Sequence, residues 1–160
     1  MRTLVLGVGN ALRGDDAIGP RIVAELRSRS INQADLWSVD GDLFEIEALL
    51  NGYGRLVIID ALPPGESPGR LDVTIVGPKS LPCRSAYSLH DMDLVWQLRL
   101  IAGSFKGEIM LIGIEAHSVD YSAALSPELA RKLPLLAEEA AQAIESFVRD
   151  SGLWQNNALC

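Results

Sequence analysis

The sequence predicts a single α/β domain in which a mostly parallel sheet of about five strands carries helices on both faces. Short apolar segments alternate along the chain with longer segments whose apolar residues recur at helical spacing. The apolar run at residues 56–59 is typical of a strand that is buried on both faces of a parallel sheet. The length of 160 residues suits one core, so we expect one domain at residues 1–150 and a tail at residues 151–160.

Five segments are predicted as strands because they are short, apolar and bounded by turn-forming residues. They lie at residues 3–9, 34–40, 55–60, 71–76 and 109–114. The segment at residues 71–76 alternates between apolar and polar side chains, which suits a strand at the edge of the sheet.

Four segments are predicted as helices from their apolar periodicity. They lie at residues 17–29, around residues 43–50, from Ser88 to Gly103, and at residues 134–149. Pro20 suits the first turn of the first helix. Pro134 is expected to separate the last helix from a short turn that starts at Ser126-Pro127-Glu128.

Composition excludes several classes of function. The formal net charge of −7 and the pI of about 4.8 disfavour nucleic acids and anionic membranes as partners. No apolar run approaches the ~20 residues that cross a bilayer, and no signal peptide is recognisable, so membrane insertion is not expected. Cys83 and Cys160 have neither metal-ligand spacing nor a disulfide pattern. We therefore expect a reduced, cytoplasmic protein.

The candidate site lies where the predicted strands end, because ligands of open α/β sheets bind beyond the carboxyl ends of the strands. Asp16, Asp60 and His90 follow three such strands and could form a metal triad of oxygen and nitrogen ligands, suited to nickel or zinc. Other reactive side chains also follow strands: Asp15, Asp40, Asp42, Glu115, His117. From the residues alone, each aspartate could equally cap a helix or form a turn, and His90 could be a surface residue.

The glycines after the first strand resemble a dinucleotide-binding motif only in part. Gly7 and Gly9 fit the beginning of G-x-G-x-x-G, but Leu12 occupies the third glycine position and Gly14 comes two residues late. Asp40 lies farther along the chain than the ~20 residues expected for a ribose-binding carboxylate. The motifs of serine hydrolases, zinc proteases and phosphate-binding loops do not occur.

Residues 7–19 read GVGNALRGDDAIG and resemble the opening signature of the hydrogenase maturation endopeptidases, G-x-G-N-x-L-x-x-D-[DE]-x-x-G. Further segments resemble the family in the family's own order: Ile58-Ile59-Asp60-Ala61, Ser88-Leu89-His90, Gly113-Ile114-Glu115 and Leu125-Ser126-Pro127-Glu128. These segments span nearly the whole chain before residue 150. The sequence is therefore identified as a member of this family.

The resemblance implies a three-layer α/β/α fold around a twisted sheet and an endopeptidase activity. Such proteases recognise the nickel ion already installed in the large-subunit precursor of a [NiFe]-hydrogenase and then remove its C-terminal extension. The nickel-contacting positions of the family fall on Asp16, Asp60 and His90. The resemblance thus implies nickel supplied by the substrate, no organic cofactor, and the precursor as partner; a monomer is the expected state.

The chain departs from the family pattern at two places. Many members carry D-G-G-T after the second strand, where residues 40–43 here read DGDL, so the partner hydrogenase is not indicated. Members often have proline after the glutamate of the fifth strand, whereas Ala116 follows Glu115, which weakens a role for Glu115. Two other functions remain open: a nucleotide-binding regulatory domain, which would bind a nicotinamide dinucleotide, and a non-catalytic hydrogenase-assembly chaperone, which would bind the precursor without shortening it.

Overall fold

The computed structural model describes residues 1–29, 31, 34–40, 46, 49–76 and 105–149. In this part of the chain the regular elements are β1 (Thr3–Val8), α1 (Ile18–Arg27), β2 (Ala34–Val39), β3 (Arg55–Leu62), β4 (Leu71–Val76), β5 (Glu108–Glu115) and α2 (Pro127–Arg149). A short 3-10 helix, Gly14–Ala17, lies between β1 and α1.

The five strands form one sheet in the order β2-β1-β3-β5-β4. The first four strands in that order are parallel, and β4 pairs antiparallel with β5 at the edge. The predicted fold class, one α/β domain with a mostly parallel sheet of five strands, is confirmed, as is the edge position of residues 71–76. The proposed limit of the domain at residue 150 and the tail after it lie outside the described residues.

Both faces of the sheet are buried under apolar side chains, as the continuous apolar runs predict. On one face, Val57, Ile59 and their neighbours pack against α1 and α2 in a single cluster. On the other face, Leu56 and Ile58 belong to a second cluster that also contains these residues from outside the strands: Ile46, Leu50, Phe105. The predicted helix from Ser88 to Gly103 lies outside the described residues, as does most of the one around residues 43–50.

The prediction that Pro134 breaks the last helix is wrong, because α2 is continuous from Pro127 to Arg149 with Pro134 inside it. A proline inside a helix costs about 3 kcal/mol relative to alanine. The buried stripe of α2 continues on both sides of Pro134: Leu129, Leu136, Ala140, Ile144, Phe147. Burial of each large apolar side chain contributes about 1.5–3 kcal/mol, so the packing of the stripe outweighs the lost hydrogen bond.

β3 is also longer than predicted, since it ends at Leu62 rather than at Asp60. Asp60 pairs with Gly113, and the register continues to Leu62 opposite Glu115. Asp60 therefore lies within β3, near its carboxyl end, rather than in a turn, although its side chain does accept a hydrogen bond from the adjacent backbone N–H of Ala61. In the described residues, no helix is long and apolar enough to cross a membrane.

Candidate active site

Asp16 lies in the 3-10 helix that connects the end of β1 to α1. The backbone N–H of Asn10 donates a hydrogen bond of 2.7 Å to Oδ2 of Asp16. The side-chain Oδ1 of Asn10 in turn accepts a hydrogen bond from the N–H of Leu12. The carboxylate is half-buried, and Oδ1 has no hydrogen-bond partner in the described part of the chain. No role was predicted for Asn10, although an asparagine side chain often accepts a hydrogen bond from the backbone two residues further on.

Asp60 lies at the same carboxyl-terminal edge of the sheet as Asp16, because α1 packs closely against the backbone of β3 just before Asp60. Gly19, the second residue of α1, lies so near to β3 that a Cβ atom at this position would lie 2.3 Å from the carbonyl oxygen of Ile59. The residues just before Asp60 therefore contact the turn that carries Asp16, three positions before Gly19. The Asp60 side chain is half-buried, and its Oδ1 accepts a hydrogen bond of 2.8 Å from the N–H of Ala61.

The structure thus brings two members of the predicted triad to one edge of the sheet. His90 lies outside the described residues. Within the described ranges, no group of at least three His, Cys, Asp or Glu side chains is arranged to hold a metal ion. The triad of Asp16, Asp60 and His90 accordingly stays a prediction.

Asp15 has a different role from that of its neighbour. Its side chain is fully buried, and its two carboxylate oxygens accept three backbone hydrogen bonds of 2.7–3.0 Å, from His117, Ser118 and Ser126. Hydrogen bonds to a charged group each contribute about 1.5–3 kcal/mol. Asp15 therefore ties the turn after β1 to the loop between β5 and α2, and it stabilises the edge on which Asp16 lies.

Glu115, the last residue of β5, and His117 were also candidates, but they take no part in a metal cluster of the described residues. Glu115 is buried, and its Oε1 accepts a hydrogen bond of 2.5 Å from the N–H of Ser67, while Oε2 lies 3.4 Å from the guanidinium of Arg70. Glu115 thus bonds a backbone amide and an arginine, which agrees with the weak match to the family at this position. The side chain of His117 is exposed.

The glycines after β1 serve backbone packing. A Cβ atom on Gly9, where φ is +146°, would lie 1.8 Å from the carbonyl oxygen of Asp16, and one on Gly7 would lie 2.5 Å from that of Gly19. Two carboxylates, those of Asp15 and Asp16, precede α1 where a dinucleotide would place its pyrophosphate. Their negative charge opposes phosphate binding, so the geometry disfavours the nucleotide-binding alternative.

Comparison with known sequences gives a consistent result. A model of the hydrogenase maturation protease family matches residues 21–143. Hydrogenase 2 maturation protease of Escherichia coli (strain K12) is 31% identical over 161 residues, which cover 96% of this chain and 94% of the relative. The hydrogenase expression/formation protein HupD of Thiocapsa roseopersicina is 28% identical, covering 90% of this chain and 68% of its own.

Solved structures agree with the sequence comparison. The hydrogenase maturating endopeptidase HybD from E. coli superposes with a TM-score of 0.72 at 27% identity, covering 92% of this chain and 94% of its own. The [NiFe] hydrogenase maturation protease HycI from Thermococcus kodakarensis has the same fold, with a TM-score of 0.70 at 21% identity over 93% of each chain. The likeness therefore extends over nearly all of the chain.

Proposed function

Because the chain belongs to the hydrogenase maturation protease family and is therefore a peptidase, we propose that it removes the C-terminal extension of a nickel-loaded [NiFe]-hydrogenase large-subunit precursor. In this proposal Asp16, Asp60 and His90 contact the nickel that the precursor carries. The metal thus belongs to the substrate and docks the scissile peptide bond against the edge of the sheet.

The observation that carries the proposal is the orientation of Asp16. Its Oδ2 is held by the N–H of Asn10, while Oδ1 has no partner in the described residues. A carboxylate held in this way can offer one oxygen to a divalent ion without a further loss of side-chain freedom. The backbone contact between Gly19 and Ile59 supports a site that Asp60 shares.

Hydrolysis adds one water molecule across the peptide bond. The water oxygen bonds to the carbonyl carbon, the carbon–nitrogen bond breaks, and the departing amine takes up a proton. The substrate's nickel can polarise the carbonyl oxygen, and a carboxylate such as Asp16 or Asp60 can accept the proton of the attacking water. A precursor without nickel lacks the docking contact, so we expect it to remain uncut.

The test is a cleavage assay on the large-subunit precursor of the companion hydrogenase, with and without nickel. We expect wild-type protein to shorten only the nickel-loaded precursor, and Asp16→Asn and His90→Ala to reduce the rate at least ~100-fold, since metal-assisted stabilisation is worth several kcal/mol. Asp72→Asn is the matched control, because Asp72 is exposed on β4 and its carboxylate pairs with Arg70.

Each outcome of this assay has a separate meaning. Nickel-dependent shortening that survives Asp16→Asn would retain the protease and discard Asp16 from the site. Binding of the nickel-loaded precursor without any shortening would favour the non-catalytic chaperone. Shortening that does not depend on nickel would overturn the proposed docking through the substrate's metal.

A further inference from the structure

Two residues with large exposed apolar side chains lie on adjacent, hydrogen-bonded backbone segments at the edge that carries Asp16. Leu12 is 49% exposed in the turn after β1, and Tyr121 is 83% exposed in the loop between β5 and α2. The N–H of Ser122, the residue after Tyr121, donates a hydrogen bond of 3.0 Å to the carbonyl of Leu12. We call Leu12, Tyr121 and the exposed Arg13, which follows Leu12, the loop-pair surface.

The two loops are tied together at several points. Arg13 forms a β-bridge with Ser122, its Nε donates to the carbonyl of Val119, and the N–H of Gly14 donates to the carbonyl of Ser122 at 2.8 Å. The buried carboxylate of Asp15 accepts hydrogen bonds from three backbone amides of the loop between β5 and α2. The loop-pair surface is thus ordered before any partner binds, which lowers the entropic cost of association.

Other large exposed apolar side chains of the described residues lie on separate elements. They are Met1, Trp37, Leu49, Val73 and Leu135. Leu12 and Tyr121 differ from these because the residue after Tyr121 donates a backbone hydrogen bond to Leu12, and because the exposed Arg13 follows Leu12 directly. Tyrosine and arginine are enriched at the centres of protein interfaces, where they contribute much of the binding energy.

The loop-pair surface is close enough to the candidate site for one partner to cover both. Leu12 precedes Asp16 by four residues, so the two Cα atoms are at most about 14 Å apart. A protein–protein interface of standard size covers about 800 Å² on each partner, which corresponds to a disc of about 16 Å radius. A partner that brings its metal to Asp16 can therefore cover the loop-pair surface in the same encounter.

We propose that the loop-pair surface, Leu12, Arg13 and Tyr121, is a docking site for the folded body of the large-subunit precursor, separate from the contact with its nickel. This inference rests on the proposed function. The partner surface is apolar opposite Leu12 and Tyr121, and it carries a carboxylate or carbonyl group opposite the guanidinium of Arg13. The surface thus selects which precursor is presented to the metal-contacting carboxylates.

The experiment compares wild-type protein with Leu12→Ser, Tyr121→Ser and the double variant on the nickel-loaded precursor. KM and kcat are measured by cleavage, and Kd is measured separately with Asp16→Asn added to each protein to prevent turnover. We expect the double variant to raise KM and Kd at least ~10-fold while kcat stays within ~2-fold, as loss of an interface anchor predicts. The matched control is Leu135→Ser, because Leu135 is 59% exposed on α2.

The outcomes separate this inference from the proposed function. Unchanged KM and Kd, or a fall in kcat with KM unchanged, would overturn the docking site while wild-type cleavage still upheld the protease. If wild-type protein binds the precursor without cutting it and the double variant loses that binding, the docking site stands and the proposed proteolysis fails. If wild-type protein neither binds nor cuts the precursor, both proposals are overturned. Circular dichroism melting of each variant checks that the exposed substitutions leave the fold intact.

Discussion

Two adjacent aspartates in the middle of the 3-10 helix differ entirely in what surrounds them. Asp15 is fully buried and accepts three backbone hydrogen bonds, whereas Asp16 is half-buried and accepts one. The backbone at this turn directs one side chain under the loop between β5 and α2 and the other toward the edge of the sheet. A structural carboxylate thus fixes the position of the candidate nickel-contacting carboxylate.

Gly9→Ala tests how closely activity depends on the position of Asp16. The added Cβ would overlap the carbonyl oxygen of Asp16, and φ at this position is +146°, so the backbone of the turn must shift. We expect a loss of stability of about 1–3 kcal/mol from strain, and a fall in cleavage rate of about 100-fold, since misplacement of a reacting group by ~1 Å has that effect. Urea unfolding and the cleavage assay measure the two effects.

Gly52→Ala is the matched control for this substitution. Gly52 also has a positive φ, of +100°, but a Cβ atom there would meet no atom within 4 Å. This variant should lose stability while retaining the wild-type cleavage rate. Equal losses of activity in the two variants would mean that general destabilisation, rather than the position of Asp16, explains the effect of Gly9→Ala.

At the scale of elements, β1, β3 and β5 were predictable because they are mostly apolar on both faces, as expected of strands buried within a parallel sheet. β4 begins and ends where its alternating pattern indicates, and β5 differs from its prediction by one residue at each end. The 3-10 helix was not predictable, because Gly14–Ala17 has no apolar periodicity and its position depends on contacts with residues more than 100 positions away.

Helix α2 could not be predicted at Pro134, because local propensity and tertiary packing oppose each other there. Proline disfavours an uninterrupted helix, yet the buried stripe on both sides of Pro134 packs into one cluster with α1 and the sheet. Helix propensities of single residues cannot predict which effect is larger, because the surface against which the stripe packs exists only in the folded chain. The helix therefore carries a local cost that substitution can remove.

Pro134→Ala should stabilise the protein. The side chain of Pro134 is exposed, so its removal leaves no cavity, and alanine restores an N–H that can donate to the carbonyl of Ala130. We expect the free energy of unfolding to rise by about 1–2 kcal/mol, after allowing for the greater freedom that alanine gives the unfolded chain. Urea unfolding measures the change, with the exposed Glu139→Ala as a control expected within about 0.5 kcal/mol of wild type. A destabilised Pro134→Ala would show that the ring makes a packing contact of its own.

At the scale of the whole molecule, the sequence alone indicated that the site lies at the carboxyl ends of the strands, but it did not establish which residues form the site. Polar residues follow several strands, and although the residues alone suggested Asp16 and Asp60 as metal ligands, each could equally have capped a helix or formed a turn. The family resemblance distinguished Asp16 from Asp15, while the structure explains why the two differ: the partners of Asp15 lie in a loop about 100 residues away. Such contacts carry no local sequence signal, so spacing could not reveal them.

The opposite, amino-terminal edge of the sheet holds ion pairs that serve stability. Arg55 is buried, its Nε lies 3.0 Å from Glu108, and it donates to the carbonyl of Val148 at the end of α2. Nearby along β1 and β2, the guanidinium of Arg2 lies 2.7 Å from Asp35 and over the ring of Tyr53. The two edges are therefore separable by mutation, and changes at this one should leave cleavage unaffected.

Tyr53→Phe tests that separation through the pH dependence of stability. The hydroxyl of Tyr53 donates to Asp35 at 2.9 Å, and this bond, followed by that from Arg2, lowers the pKa of Asp35 from its usual value. A carboxyl whose folded pKa is lowered contributes stability above its unfolded pKa, and this contribution is lost as the pH falls through the folded pKa. Phenylalanine keeps the ring under Arg2 but removes the hydroxyl. We therefore expect the thermal midpoint of the variant to be about 1–3 °C lower than that of wild type at pH 6. This difference should shrink as the pH falls from about 5 to about 2. Calorimetric melting across that range measures it, and a difference that stays constant down to pH 2 would mean that Tyr53 acts through packing rather than through the Asp35 carboxylate.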